Sequence, residues 1–293
     1  MPALVGGSAD LGPSNKTLIK GATSFSAVNR SGRNLHFGVR EQAMSFIANG
    51  MALYGTILPY CATFFVFSDY MKPGIRLASL MRLPVIYVMT HDSFHVGEDG
   101  PTHEPIEHLT MLRSIPGVTV IRPAEAHEAA SAWAYAAQNT DGPVALILTR
   151  QDLPCFSAEE SCRIDVEKGA YVLDDEADFE AIIIATGSEV TLALGVAAEL
   201  RKQGKKIRVV SMPSWELFEK QPQTYRDSVL PPSCKKRISV EAGSVFGWLR
   251  YTGDAGLNLG LDHFGASAPS KVLSEKFGFT VPSITERVLE YLG

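Results

Sequence analysis

Thirteen consecutive residues, His91-Asp-Ser-Phe-His-Val-Gly-Glu-Asp-Gly-Pro-Thr-His103, carry three histidines, three carboxylates and two glycines. Such a density of titratable groups exceeds what a solvated turn needs. Imidazoles that titrate near neutral pH are suited to giving and taking protons. Further polar residues stand where chemistry can use them: Asp10 and Ser14 in the turn Asp10-Leu-Gly-Pro-Ser14, Glu41 ahead of an apolar run, and Arg150 at the end of another. A planar guanidinium forks onto a phosphate, although a salt bridge explains an isolated arginine equally well. For Glu41 the plain alternative is a helix amino end, which stabilises any carboxylate; for Ser14 it is a capping role in the turn. Phe64, Phe67 and Tyr70 recur at three-residue spacing. That interval predicts one face of a helix and, by itself, core packing.

A strand must deliver the histidine-rich stretch, and Pro84-Val-Ile-Tyr-Val-Met-Thr90 has the length and β-branched content of a buried one. Its polar sequel then falls on the loop at the strand's carboxyl end, where open α/β sheets build their sites. Met1 to Gly7 reads as the end of a first strand, and Ile57 to Phe64, Val118 to Ala124 and Pro143 to Arg150 as further strands. Gln42 to Tyr54 predicts a buried helix with Glu41 in its first turn, and Ala124 to Gln138 a second helix. Residues 157–168 lose apolar periodicity and gain charge, which marks a linker between a domain at 1–156 and another at 169–293. In the latter, the runs at Ala181, Ile207 and Ile238 alternate with a helix over Thr191 to Gln203, so a smaller α/β domain is expected. Its Thr186-Gly-Ser-Glu189 turn has the form that takes an anion at a helix amino end.

Composition narrows the partners. The 293 residues carry a net charge of -5, which gives no electrostatic reason to expect nucleic acid or an anionic membrane. A phosphorylated substrate needs local basic residues instead. Cys61, Cys155, Cys162 and Cys234 form no Cys-x-x-Cys pair, arguing against a disulfide framework or structural metal and for a reducing cytosol. No charged-then-apolar leader and no apolar run of transmembrane length is read.

The histidine-rich stretch, together with Gly6-Gly-Ser-Ala-Asp-Leu11, Gly38-Val-Arg-Glu41, Leu148-Thr-Arg-Gln151 and Ser211-Met-Pro-Ser214, resembles the transketolase family in order and spacing. The resemblance covers nearly the whole chain. It implies two consecutive α/β domains, the first a thiamine-diphosphate pyrimidine-binding fold and the second a smaller C-terminal domain. It implies transfer of a two-carbon ketol unit from a ketose phosphate to an aldose phosphate. By resemblance, Glu41 hydrogen-bonds the aminopyrimidine ring of thiamine diphosphate, Phe64, Phe67 and Tyr70 wall that ring, and Asp10 lies near the cofactor. Ser14 and Arg150 match phosphate-holding positions, His91 and Asp99 match positions that contact sugar hydroxyls, and His103 matches one near the reacting carbon. His95 departs from the pattern, which more usually has a small residue there. A solvent-facing side chain is expected for it, ahead of narrowing the site or adding a phosphate contact.

The family's metal motif, Gly-Asp-Gly with a later asparagine, is not found; Gly253-Asp-Ala-Gly256 lacks the second glycine in place. A helix that precedes the first strand in related proteins is not found either. The resemblance is therefore to the C-terminal half of a transketolase. It implies a partner chain that holds the diphosphate with Mg2+ or Ca2+, in a homodimer or heterotetramer. Two other readings remain at this point. One is the β subunit of a thiamine-dependent 2-oxo acid dehydrogenase, which needs neither Asp99 nor Arg150; the other is a non-catalytic half that binds a partner.

Overall fold

Six short apolar runs pair into one parallel sheet in the computed structural model, which describes residues 1–293. They are β1 (Leu4–Ser8), β2 (Asn34–His36), β3 (Leu58–Phe64), β4 (Ile86–Thr90), β5 (Thr119–Ile121) and β6 (Val144–Leu148), in the order β2-β1-β3-β4-β6-β5. Parallel neighbours need crossover connections. These run through α1 (Gly12–Asn15), α2 (Glu41–Tyr54), α3 (Ser68–Leu80), α4 (His108–Arg113) and α5 (Ala126–Gln138). Strands covered on both faces are apolar throughout, which is why β4 is buried at all five positions. The chain leaves β1 toward β2 and returns on the other side of β1 as β3. Connections that diverge in this way open a crevice at the strands' carboxyl ends. Gly6 and Gly7 let β1 lie that close to both neighbours, since a Cβ there would meet Tyr60 O at 1.9 Å and Leu35 O at 1.8 Å.

After β6 comes a short helix, α6 (Ala158–Ser161), then a five-stranded sheet. Its strands are β7 (Tyr171–Asp174), β8 (Ala181–Ala185), β9 (Ile207–Ser211), β10 (Arg237–Val240) and β11 (Leu257–Leu259), ordered β11-β10-β8-β9-β7. Only β7 runs antiparallel. Helix α7 (Glu189–Lys202) and the helix Val281–Leu292 pack on this sheet, with Val190, Val196, Leu200, Ile284 and Val288 in its core. The two α/β domains expected from the alternating apolar runs are thus present.

Several expectations need correction. Phe64, Phe67 and Tyr70 do not share one α-helix: Phe64 ends β3, Phe67 ends a 3-10 turn over Phe65–Phe67, and Tyr70 lies in α3. The three rings fall on a strand end, a turn and a helix in succession, so no single helical period places them together. Helix α2 is buried on one face only, because Phe46, Ile47, Leu53 and Tyr54 form an apolar face open to solvent, Tyr54 at 78%. Within residues 157–168, Ser157 and Glu160 close a reciprocal capping box on α6, and Val166 is buried. Ser14 caps nothing, since it sits inside the one-turn α1.

The Thr186–Glu189 turn takes a cation, not an anion. Arg122, fully buried, donates from Nε to Asp92 Oδ2 at 2.9 Å and from Nη1 to Thr186 O at 3.0 Å and to Glu189 Oε2. A Cβ on Gly187 would meet the guanidinium at 2.6 Å, so the turn needs glycine for this approach. Next to it Arg113 forks onto Glu241 through two 2.8 Å bonds. Burial alone would raise the Glu241 carboxyl, but the Arg113 charge and its bonds hold it down at about 2. Thr186 Oγ1 joins the two pairs, accepting from Arg122 at 2.8 Å and donating to Glu241 at 2.6 Å.

Replacing Arg122 strands two buried carboxylates, and breaking a buried pair on one side costs about 3–5 kcal/mol. Arg122→Met is expected to lower unfolding stability by about that amount in urea titration. Arg82→Ala, which breaks the exposed Arg82–Asp141 pair, is expected to cost no more than about 1 kcal/mol. Equal losses in the two variants would show that the buried pairing is not what holds the domains.

Candidate active site

Several polar residues singled out in the sequence stand at the carboxyl ends of the first sheet's strands. Asp10 follows β1 and His91 follows β4, and both have left-handed backbone, φ 62° and φ 61°. Non-glycine residues there cost on the order of 1–3 kcal/mol, and such strain clusters at functional sites. The turn at His91 brings its imidazole onto the Phe64 ring, 3.7 Å between centroids and 24° between planes. Phe64 lies beside Thr90 in the β3–β4 register, so the strand pairing sets this stack.

From Phe64 the aromatic series continues outward. Phe67 stacks on Phe64 at 6.1 Å and on Tyr70 at 6.3 Å, and His103 meets the Phe67 ring edge-on at 5.5 Å. A cavity of about 430 Å³ opens beside the outer two rings, lined by Ala9, Asp10, Leu11, Val39, Glu41, Phe67 and Tyr70. Glu41 is its one deep acid: 8% exposed, in the first turn of α2, with no hydrogen bond or ion pair to another side chain. The helix amino end offsets the cost of burying that charge. The result is a flat-walled apolar slot with a single strong acceptor, shaped for a planar heteroaromatic ring that donates a hydrogen bond.

His91 is held from behind by residues the sequence did not single out for this role. Its Nδ1 lies 2.9 Å from Thr90 Oγ1, which donates its own proton to Asn15 Oδ1 at 2.7 Å. Asn15 Nδ2 donates to Ser8 Oγ at 3.2 Å, and Ser8 Oγ lies 2.7 Å from Thr17 Oγ1. A hydroxyl has one proton. With that proton given to Asn15, Thr90 can only accept from His91, so Nδ1 carries the imidazole hydrogen and Nε2 keeps its lone pair. Burial, then the Arg150 charge, lowers the His91 pKa to about 4, while Asp92 and Asp99 act in the opposite sense. At neutral pH His91 is an uncharged acceptor, which suits it to a hydroxyl donor.

Arg150 and Asp99 are thus near enough for their charges to act on His91. Arg150, just beyond β6, and Asp99, at the end of the Phe94–Asp99 turn, are both exposed. Ser14 is also exposed, on the rim that α1 forms past β1. His103 is half-buried, with Nδ1 3.0 Å from Thr102 Oγ1. The solvent-facing expectation for His95 fails: its ring stacks on Phe94 at 4.2 Å, and Nε2 reaches Ser274 of the second domain at 3.3 Å. Phe94 draws it inward, because that ring is fully buried against Phe277 and Phe279. Burial lowers the His95 pKa. No spacing signal links Asn15 to Thr90, 75 residues apart, so sequence reasoning had no means of pairing them.

Comparison with known proteins bears on this arrangement. Residues 1–155 match the family model described as transketolase, pyrimidine binding domain, and residues 169–280 match the transketolase-like TK C-terminal domain. A transketolase of Geobacillus stearothermophilus is 53% identical over 100% of this chain and 44% of its own length. The solved transketolase from Leishmania mexicana superposes with a TM-score of 0.94 at 44% identity, covering 99% of this chain and 43% of that one. A split-gene transketolase, solved as an inactive beta4 tetramer, shares the fold, with a TM-score of 0.76 at 24% identity over 92% of its own chain. This chain therefore spans less than half the length of the curated relatives it matches.

Two measurements test the His91 arrangement. Nitrogen-15 histidine NMR is expected to show the Nδ1–H form with a titration midpoint near 4, well below the ordinary 6.5, and Thr90→Val to mix the two tautomers. A histidine with a lowered folded pKa contributes stability that is complete above 6.5 and lost as pH falls through about 4. The stability advantage of the wild type over His91→Asn should accordingly shrink across that window. An advantage that stays constant with pH would contradict the assigned burial.

Proposed function

The chain belongs to the transketolase family, and on that premise we propose that it forms the pyrimidine-binding side of a catalytic site for ketol transfer between sugar phosphates. The observation that carries this reading is Glu41, a buried carboxylate without a side-chain partner, set in an aromatic-walled cavity. These residues fit the pyrimidine end of thiamine diphosphate. When bound, that cofactor supplies a carbon nucleophile for the donor's carbonyl. Phe67 and Tyr70 wall the ring on its faces, Phe64 backs them, and Asp10 lies at the slot's edge. Glu41 gives the only directional contact and holds a proton at a ring nitrogen, a role that needs a carboxylate and not its amide.

On the substrate side, His91 Nε2 accepts a hydrogen bond from a sugar hydroxyl, and Asp99 takes a second hydroxyl. His103, edge-on to Phe67, stands between the slot and solvent, where an imidazole can give or take the proton of a reacting oxygen. Arg150 and Ser14 receive the phosphate tail. A chain of net charge -5 has to supply such a cation locally, and Arg150 stands at a strand's carboxyl end close enough to act on His91. That combination of Asp99 and Arg150 disfavours the 2-oxo acid dehydrogenase reading, which uses neither.

The diphosphate and its Mg2+ or Ca2+ are assigned to an N-terminal region that completes the site, as the missing Gly-Asp-Gly motif suggests. The apolar face of α2 supports association: Phe46, Ile47, Leu53 and Tyr54 are all open to solvent on the helix that begins with Glu41.

The test is ketol transfer from xylulose 5-phosphate to ribose 5-phosphate with thiamine diphosphate and Mg2+, for this chain alone and with a diphosphate-binding transketolase region. Activity is expected only when both are present. Within that mixture Glu41→Gln is expected to lose about 10²–10⁴-fold in kcat, and Arg150→Ala to raise KM for phosphorylated sugars while sparing unphosphorylated ones. Full activity of Glu41→Gln would sink the assignment.

A further inference from the structure

Apart from the cavity at Glu41, three side chains of different chemistry converge. Glu125, His127 and Cys155 bring a carboxylate oxygen, an imidazole nitrogen and a thiol sulfur within 4.8 Å of one another. They come from two segments, the entrance to α5 and the stretch between β6 and α6. The carboxylate is already positioned. Glu125, with a fully buried side chain, is the N-cap of α5, and its Oε1 accepts from the backbone N–H groups of His127 at 2.7 Å and Glu128 at 2.9 Å. Its second oxygen, Oε2, faces His127 Nδ1 at 2.9 Å. Across from it, Phe156 is buried in the core of the second domain and fixes the residue beside Cys155. Both Cys155 and His127 are exposed, and a cavity of about 260 Å³ lined by Glu125, Ala126, Ala129, Asp152 and Leu153 opens alongside, so an ion has a path in.

We propose that Glu125, His127 and Cys155 form a tridentate site for a zinc-class divalent cation. One thiolate with one imidazole selects a borderline-soft ion over magnesium or calcium, which take oxygen ligands. Two donors about 2.0–2.1 Å from a tetrahedral zinc lie about 3.3 Å apart, so the 2.9 Å spacing of Oε2 and Nδ1 needs little adjustment. Three protein ligands leave the fourth position to water. Binding forms only metal–ligand bonds: the Cys155 thiol releases its proton to solvent, the imidazole hydrogen shared at the Nδ1–Oε2 contact moves to Nε2 so that Nδ1 offers its lone pair, and no group is oxidised or reduced. The bound ion ties the amino end of α5 to the segment that follows Arg150. That segment otherwise runs from β6 to α6 without regular structure.

The experiment strips the full chain with a chelator and titrates it with Cd2+, whose thiolate charge-transfer band reports sulfur ligation, then competes with Zn2+. One equivalent of Cd2+ is expected to raise the band, and Zn2+ to remove it. Cys155→Ser should abolish the band, whereas Cys162→Ser, which changes an exposed cysteine outside the cluster, should leave it intact. Loss of a direct ligand in His127→Asn should weaken binding at least as much as loss of an outer-shell partner does, about 10- to 100-fold. Zinc should also raise the Tm of the wild type and not that of Cys155→Ser. Circular dichroism of both surface variants shows whether each is folded. The proposal is overturned by a wild type without the band, by a band that survives Cys155→Ser, or by wild-type affinity in a folded His127→Asn.

Discussion

Arg122 is fully buried where the two sheets meet, and the position of the site depends on how its charge is met. Taking a guanidinium out of water costs several kcal/mol unless charged and polar partners surround it. Asp92 supplies one carboxylate from the first domain, and Glu189 with the Thr186 carbonyl supplies the others from the second. Asp92 is the residue after His91, so the guanidinium that bonds the second domain also anchors the loop bearing the imidazole. The interface is specific as well as attractive, because a docking that separated Glu189 from Arg122 while keeping both buried would leave that carboxylate without its cation. Thr186 extends the constraint to Arg113 and Glu241, and the Arg113 guanidinium lies 4.0 Å from the Trp215 ring, adding a cation–π contact.

Anchored in this way, the loop can hold a conformation that it would not otherwise keep. The left-handed backbone at His91 costs free energy locally, and the stack on Phe64 and the bond to Thr90 make other conformations costlier. The chain of hydroxyls and amide behind Thr90 runs from β4 through α1 to the end of β1. It therefore bridges β4 and β1, with β3 between them. A tautomer fixed by a neighbour's single proton is preorganised; no reorientation is needed when a hydroxyl arrives.

How far this could be read from the sequence varied with the kind of interaction. Strands β3, β4, β8 and β9 stand out as apolar runs because a doubly covered parallel strand has no polar face. The site residues that follow those strands were legible for the same reason: a polar cluster after a buried strand has one place to go. The aromatic spacing was legible as a pattern but was read as one helix face, whereas a strand end, a turn and a helix in succession bring the rings together. Arg122 and Glu189 carried no signal, being ordinary charged residues 67 positions apart. His95 failed because a histidine in a polar loop looks exposed until Phe94 beside it is known to be core.

Helix α2 joins the chemistry to association. Its first residue is Glu41, inside the slot, and the same helix presents Phe46, Ile47, Leu53 and Tyr54 to solvent. Four large apolar side chains open to water on one helix face form a patch of the kind that marks an interaction surface. At the mouth of the slot Tyr70 is still 62% exposed. A carboxylate acts more strongly on a bound ring as the local dielectric falls. On the proposed function, a partner surface that also excluded water from the slot would strengthen the Glu41 contact as it closed, while the aromatic wall gives the slot its shape in either state.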